Sequence, residues 1–202
     1  MPDQPGPYRL FVYAHDGAGS AATANIPLLV KGTARLPLPF PVYEDGFGNM
    51  PWAPSGWMGG VEHLSLDGSD RSNPHSGAAS IRLRYEGTFG WAGVAWQHPP
   101  NNWGDVDGGL DLTGARALEV WARGEYGGEK VSFGVGLLGD DKAFRDSSIS
   151  KVDGIRLGRE WQKYEVPLKR KDLSSIKTGF VVSVTGRRSP VTIYLDGIRY
   201  VR

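Results

Sequence analysis

The chain of 202 residues contains no cysteine. Disulfides and thiolate metal sites are therefore excluded, and the fold must rest on packing and backbone hydrogen bonds. Histidine is scarce as well. His15, His63, His75 and His98 fall in four separate segments, and none has a metal-ligand partner at short spacing. No apolar run approaches the ~20 residues that cross a bilayer as a helix. An excess of charge is also missing: 23 Lys and Arg against 22 Asp and Glu leave a net +1, which implies neither nucleic acid nor an anionic membrane as partner. No G-x-S-x-G, H-E-x-x-H or phosphate-binding loop is present. The opening MPDQPGPYRL lacks the basic and apolar regions of a signal peptide, so any export signal is expected outside this chain.

What the chain has in quantity is glycine (29), proline (14), tryptophan (7) and tyrosine (8), the make-up of a turn-rich β protein. No long segment shows helical apolar spacing. Residues 111–138 carry the clearest pattern. Leu118, Val120 and Ala122 alternate with Glu119, Trp121 and Arg123, and after a glycine-rich break at 124–128 Val131, Phe133, Val135 and Leu137 recur every second residue. This predicts a hairpin with one core face and one face bearing a tryptophan between a glutamate and an arginine.

Further strands follow the same period. Ile81, Leu83 and Tyr85 point in with Arg82 and Arg84 out, and GWAGVAWQ, REWQKYEVPL, DLSSIKTGFVVSV and PVTIYLDGIRYV each read as a strand. About eight short strands predict an all-β, antiparallel two-sheet sandwich of jelly-roll type over residues 42–202. The polar connection 140–153 is long enough to be a candidate functional loop. Ahead of the sandwich, residues 1–31 predict a β-hairpin, and the proline-rich stretch 32–41 reads as a semi-stiff linker. The hairpin resembles the last two strands of an immunoglobulin-like domain, whose other strands would lie upstream.

NPHSGAASIRL, DLTGARALEVWARGEYGGEKVSF, REWQKYEVPL, DLSSI with its GF, and the terminal IYLDGIRYV resemble the galactose-binding-like jelly rolls. These include many non-catalytic carbohydrate-binding modules appended to bacterial polysaccharide-degrading enzymes. The resemblance specifies fold better than ligand. It implies an extracellular, periplasmic or cell-surface setting, and a structural calcium held by Glu44, Asp45 and Asp196 with carbonyls of the 68–77 turn, oxygen donors of the kind calcium takes. The plain alternative is that these acids end strands and cap turns. The aspartates Asp105, Asp107 and Asp111 form a rival cluster without the length or terminal glutamate of an EF-hand loop. Jelly-roll glycosidases often carry E-x-D-x-x-E on one strand, and no such array exists here. A carboxylate pair made by folding, such as Glu119 with Glu129, is the catalytic alternative.

The tryptophans point to binding. Trp91 and Trp96 have opposite parity in one strand, and Val94 shares the parity of Trp96, so Trp96 is expected in the core and Trp91 outside. Sugars stack C–H faces on aromatic rings and pair their hydroxyls with planar polar groups. Trp121 with Glu119, Arg123, Arg82 and Arg84 fits that description where their strands are neighbours in a concave sheet. On a convex sheet the same residues are a solvated face with a tryptophan under arginine stems. Trp91 and the loop residue Trp103 complete the candidate ligand-binding set. The expected function is binding of a polysaccharide or oligosaccharide by an accessory module of a larger enzyme, with a structural spacer and a catalytic jelly roll as alternatives.

Overall fold

The computed structural model describes residues 6–19, 21–30, 35–46 and 50–202, with the backbone alone over 6–9 and 27–30. It divides into two units, Met1–Arg35 and Leu36–Arg202. The first is the expected hairpin: β1 (Gly6–His15) pairs antiparallel with β2 (Ala21–Val30), Leu10 opposite Ile26 and Phe11 opposite Asn25. Residues 31–34 of the expected linker lie outside the described residues.

The second unit contains β3 (Phe40–Tyr43), β4 (Ala53–Gly59), β5 (Leu64–Asp70), β6 (Ser80–Tyr85), β7 (Trp91–Gln97), β8 (Ala117–Gly124), β9 (Lys130–Val135), β10 (Ser150–Arg156), β11 (Gln162–Pro167), β12 (Thr178–Thr185) and β13 (Val191–Val201). One sheet has the order β10-β9-β12-β7-β4. The other runs β11-β8-β13-β6-β5, with β3 beside β13. All pairings are antiparallel. The inward residues of both sheets form one core: Ile81, Leu83, Leu118, Val120, Ile193 and Leu195 from one sheet meet Val94, Trp96, Phe133, Phe180 and Val182 from the other. The antiparallel two-sheet sandwich read from the period-two pattern is the observed fold.

Three details differ from the expectation. β8 and β9 do not form a hairpin, since β8 pairs with β11 and β13 while β9 pairs with β10 and β12. The glycine break carries the chain from one sheet to the other. Alternation reports which face of a strand is buried and is silent on which sheet holds it. Residues 36–41 belong to the sandwich, which therefore starts before residue 42. Leu36, Leu38 and Phe40 pack on the core, the Leu36 N–H donates to Asp111 O at 2.9 Å, and Pro41 lies opposite Arg199. Finally, β4, β5 and β10 fall in stretches read as loop, so the long polar connection ends at β10.

With few helical residues to absorb them, the backbone amides of the connections find side-chain acceptors. Asp146, almost wholly buried, accepts from Leu137 and Leu138 N–H at 2.8 and 2.9 Å and from Lys177 and Thr178 N–H at 2.6 and 2.9 Å. Asn102, also buried, accepts from Gly104 N–H and takes the side-chain amide of Gln97 on its own carbonyl. Between them these residues fix the 98–109 and 139–149 loops over one end of the five-stranded sheet.

Because the sandwich core is complete without the first unit, removing residues 1–35 should leave a single cooperative transition. Its midpoint should stay within about 3 °C of the full chain's, the shift that roughly 1 kcal/mol produces in a domain of this size. Differential scanning calorimetry checks this, and loss of the transition would place the hairpin inside the sandwich's folding unit.

Candidate functional site

The outer face of the six-stranded sheet holds five of the predicted ligand-binding residues. Cross-strand register sets Lys163, Trp121 and Asp196 in one row, Glu165, Glu119 and Arg199 in a second, and Arg123, Tyr194 and Arg82 in a third. Trp121 thus lies two strands away from Arg82 and Arg84, with β13 between, and the expected cluster is split.

Its members are also occupied. The Trp121 ring is stacked on His75, with centroids 3.7 Å apart and planes at 17°. Glu119 receives Lys163 Nζ at 2.7 Å on one oxygen and Arg199 Nε at 3.1 Å on the other. Burial pushes the Glu119 carboxyl up, but the hydrogen bonds from Lys163 and Arg199 outweigh it and hold the group below the usual range. Arg123 lies 3.8 Å from the Tyr194 ring centroid and 5.4 Å from that of Trp161. Glu129 lies on the inner side of the sheet, its carboxylate against Gly124, which shares the inward parity of Leu118 and Ala122. It is fully buried, accepts from Tyr126 N–H at 2.9 Å and pairs with Arg187 at 3.2 Å. Glu119 and Glu129 therefore do not form the carboxylate pair that the catalytic alternative requires.

Two of the three acids expected to hold calcium accept backbone N–H groups. Asp196 Oδ2 accepts from His75 and Ser76 N–H at 2.9 and 3.0 Å and its Oδ1 from Gly197 N–H at 2.7 Å. Asp45 Oδ1 accepts from Ala78 and Ala79 N–H at 2.5 and 3.1 Å. Glu44 is exposed. Calcium requires oxygens converging at about 2.3–2.6 Å. Here N–H donors meet the aspartate oxygens, and among the described residues no three His, Asp or Glu side chains gather closely enough to hold a metal. This donor set does not fit a bound calcium: the two aspartates tie the 75–79 loop to the sheet directly. Tyr43 completes the arrangement. Burial, and then the charges of Asp196, Asp45 and Asp67, push its phenol well up, so it stays protonated and donates to Gly68 O at 2.9 Å.

Trp91 lies on the other sheet and points outward as its parity predicts, 49% exposed, while Trp96 is fully buried. The outer face it belongs to has an unusual floor. One row across the strands reads Ser132, Ser183, Gly93 and Met58, and the next reads Lys151, Gly134, Val181, Ala95 and Gly56. Small side chains along the centre leave a groove of about 160 Å³, walled by Met58 and Trp91 on one side and by Ile149 and Lys151 on the other. A side chain at Gly93 would run into the Val182 carbonyl, so the floor is held open there. Asp153 supplies a polar edge: hydrogen bonds from Lys151 and then Ser132 hold its carboxyl below the usual range. Trp103 is in the 98–109 loop, its indole N–H 3.3 Å from Asn101 Oδ1. That loop follows the far end of β7 from Trp91, roughly 20 Å away along the strand. The structure therefore does not bring the two tryptophans together. The groove floor escaped the sequence reading because glycine, alanine and serine resemble turn residues. Its one signal was their period of two in VSFGV and WAGVA.

No family model matches the chain, and no curated protein matches it. Among solved structures the chain is similar to a family 30 carbohydrate-binding module, with 18% identity and a TM-score of 0.56 over 79% of this chain and 96% of that one. It is similar to the family 11 module of the cellulosomal cellulase Lic26A-Cel5E of Clostridium thermocellum, with 13% identity and a TM-score of 0.53 over 80% of this chain and 94% of that one. A family 11 module from the same organism, in complex with a β-1,3-1,4-mixed-linked tetrasaccharide, aligns with a TM-score of 0.50 at 13% identity over 79% and 93% of the two chains. The fold is that of β-sandwich carbohydrate-binding modules.

Two outcomes follow from the carboxylates. Asp196→Ala strands three backbone N–H groups and should lower unfolding free energy by about 2–3 kcal/mol in urea, while a chelator leaves the wild-type melting curve unchanged. A chelator-induced drop in the wild type would restore the calcium assignment. Glu119→Gln should cost about 1 kcal/mol at neutral pH. The folded Glu119 carboxyl lies below the usual carboxylate range, so its contribution is complete above that range and fades as pH falls through the lowered value. The stability gap between wild type and Glu119→Gln should therefore close in acid, and a gap that widens there would contradict the network.

Proposed function

We propose that the sandwich binds a polysaccharide or oligosaccharide chain, without cleaving it, along the outer face of the five-stranded sheet. The observation that carries this reading is the small-residue groove beside the half-exposed Trp91 ring. Five strands about 4.8 Å apart give a face roughly 19 Å wide, room for several sugar rings across the strands. Trp91 and Met58 offer an apolar wall for C–H faces, and Ser132, Ser183 and Lys151 offer partners for hydroxyls. Asp153 is the one carboxylate at the edge of the groove and none stands among its lining residues, whereas glycoside cleavage uses a pair. The likeness to family 30 and family 11 modules supports the same role.

In this reading the module serves a larger secreted or surface-attached enzyme acting on glycans, which it keeps near its substrate. The β1–β2 hairpin is the end of a preceding immunoglobulin-like domain.

Affinity electrophoresis against a panel of neutral polysaccharides, followed by calorimetry with a β-1,3-1,4-linked tetrasaccharide and its relatives, tests the proposal. Trp91→Ala should weaken binding by about 1–3 kcal/mol, the scale of a lost stacking surface, with little change in melting temperature. Trp121→Ala should do the reverse, lowering stability through the lost His75 stack and leaving affinity in place. No retention by any glycan in the panel would favour the spacer role instead.

A further inference from the structure

The six-stranded sheet has a cleft of its own at the end away from Trp121. It has room for about 400 Å³ and is lined by Arg82, Arg84, Glu125, Tyr126, Thr192 and Tyr194, with Ser189 and Pro190 at its rim. Strand register builds it. Arg84 stands opposite Thr192, and Arg82 opposite Tyr194. The Glu125 N–H donates to Thr192 O at 3.0 Å, which sets Glu125 and Tyr126 beside the same two rows.

Tyr126 and the two arginines are open to solvent here. Tyr126 is 64% exposed. Arg82 has carboxylates of Asp67 and Asp70 at 3.8 and 3.6 Å, distances of ion pairing and too long for hydrogen bonds. Arg84 uses its Nε on Glu86 at 3.0 Å, a bond that leaves out both terminal nitrogens of the guanidinium. Glu125, the one carboxylate in the lining, is already engaged by the Tyr194 hydroxyl at 2.5 Å.

We propose that this cleft is a second saccharide site, selective for acidic sugars, in which the Arg82 and Arg84 guanidinium groups take the carboxylate of a uronic acid residue and Tyr126 stacks on a sugar ring. Two arginines at alternate positions of one strand lie about 7 Å apart on the same face, and planar guanidinium groups match carboxylates in geometry and charge. A bound uronate would share Arg82 with Asp67 and Asp70 and take the terminal nitrogens of Arg84 that the Glu86 bond leaves out. The site lies on the opposite sheet from the groove and does not depend on it, so a chain with both sites would hold neutral and acidic glycan segments on its two faces.

Calorimetric titration of the full chain with a short oligogalacturonate, and separately with a neutral cello-oligosaccharide, tests this. The uronate should bind with an affinity that falls as salt rises. Arg84→Gln and Tyr126→Ala should each weaken it by about tenfold or more, with melting temperatures near wild type, while Trp91→Ala leaves it intact. Neutral-glycan binding should show the opposite pattern, so failure of one site is distinguishable from failure of the other. The proposal is overturned by absence of uronate binding at millimolar concentration, by equal competition from the neutral sugar, or by loss of uronate binding in Trp91→Ala with retention in Arg84→Gln.

Discussion

Four backbone N–H groups converge on a single buried carboxylate, that of Asp146, and the logic of that contact runs through the whole sandwich. A chain with no disulfide and only one short 3-10 turn among its described residues has to satisfy its buried loop amides by other means. Acidic and amide side chains do so at each critical connection. Asp146 fixes the 139–149 loop, Asn102 the 98–109 loop, Asp196 and Asp45 the 75–79 loop, and Glu129 the crossing between sheets. The bonds to Asp146, Asp196 and Glu129 are worth more than neutral hydrogen bonds because the acceptor is charged and shielded from water, while Asp45 is charged but exposed. The Asn102 amide is uncharged, and three of its bonds remain within one loop.

This economy explains why the two outer faces differ. On the six-stranded sheet, charged side chains from neighbouring strands meet in register and neutralise one another: Lys163 and Arg199 on Glu119, Arg82 with Asp67 and Asp70. Aromatic rings there are taken up as packing, with His75 on Trp121 and Arg123 between Trp161 and Tyr194. The five-stranded sheet has almost no such lattice. Its central rows carry glycine, alanine, serine and valine, so among the described residues few side chains beyond Met58 stand over the surface beside Trp91. Among the described residues the half-exposed Trp91 ring has no aromatic partner, whereas Trp121 has already found His75.

Much of this was legible in the chain. Parity placed Trp96 inside and Trp91 outside, and the aliphatic members of β6, β8, β12 and β13 are buried as their alternation requires. The partition into sheets was not legible, because an alternating strand looks the same in either sheet. Residues 36–41 show how a correct signal can be masked. In LPLPFP the apolar residues Leu36, Leu38 and Phe40 alternate with prolines, and they pack on the core while Pro37 and Pro39 face outward. That is the inward-outward period of a strand, although the strand itself begins only at Phe40, and the proline content reads as linker. β5 was hidden for a related reason: in LSLDGSD, polar residues tied to one another by Asp67 and Ser69 look like a turn.

The candidate site was harder to read than the fold because the sequence advertises side chains and this groove is defined by their scarcity. Trp121, flanked by Glu119 and Arg123, has the composition of a glycan platform, but composition cannot show that His75, 46 residues earlier, has already covered the ring. The His75 backbone is brought there by Asp196, 121 residues later, through a carboxylate that the family resemblance assigns to calcium. One aspartate thus fixes the loop, the loop presents the imidazole, and the imidazole covers one face of the tryptophan, which still lines a cavity with Asp45 and Arg199. Only the long-range hydrogen bond connects the three, and no local pattern encodes it.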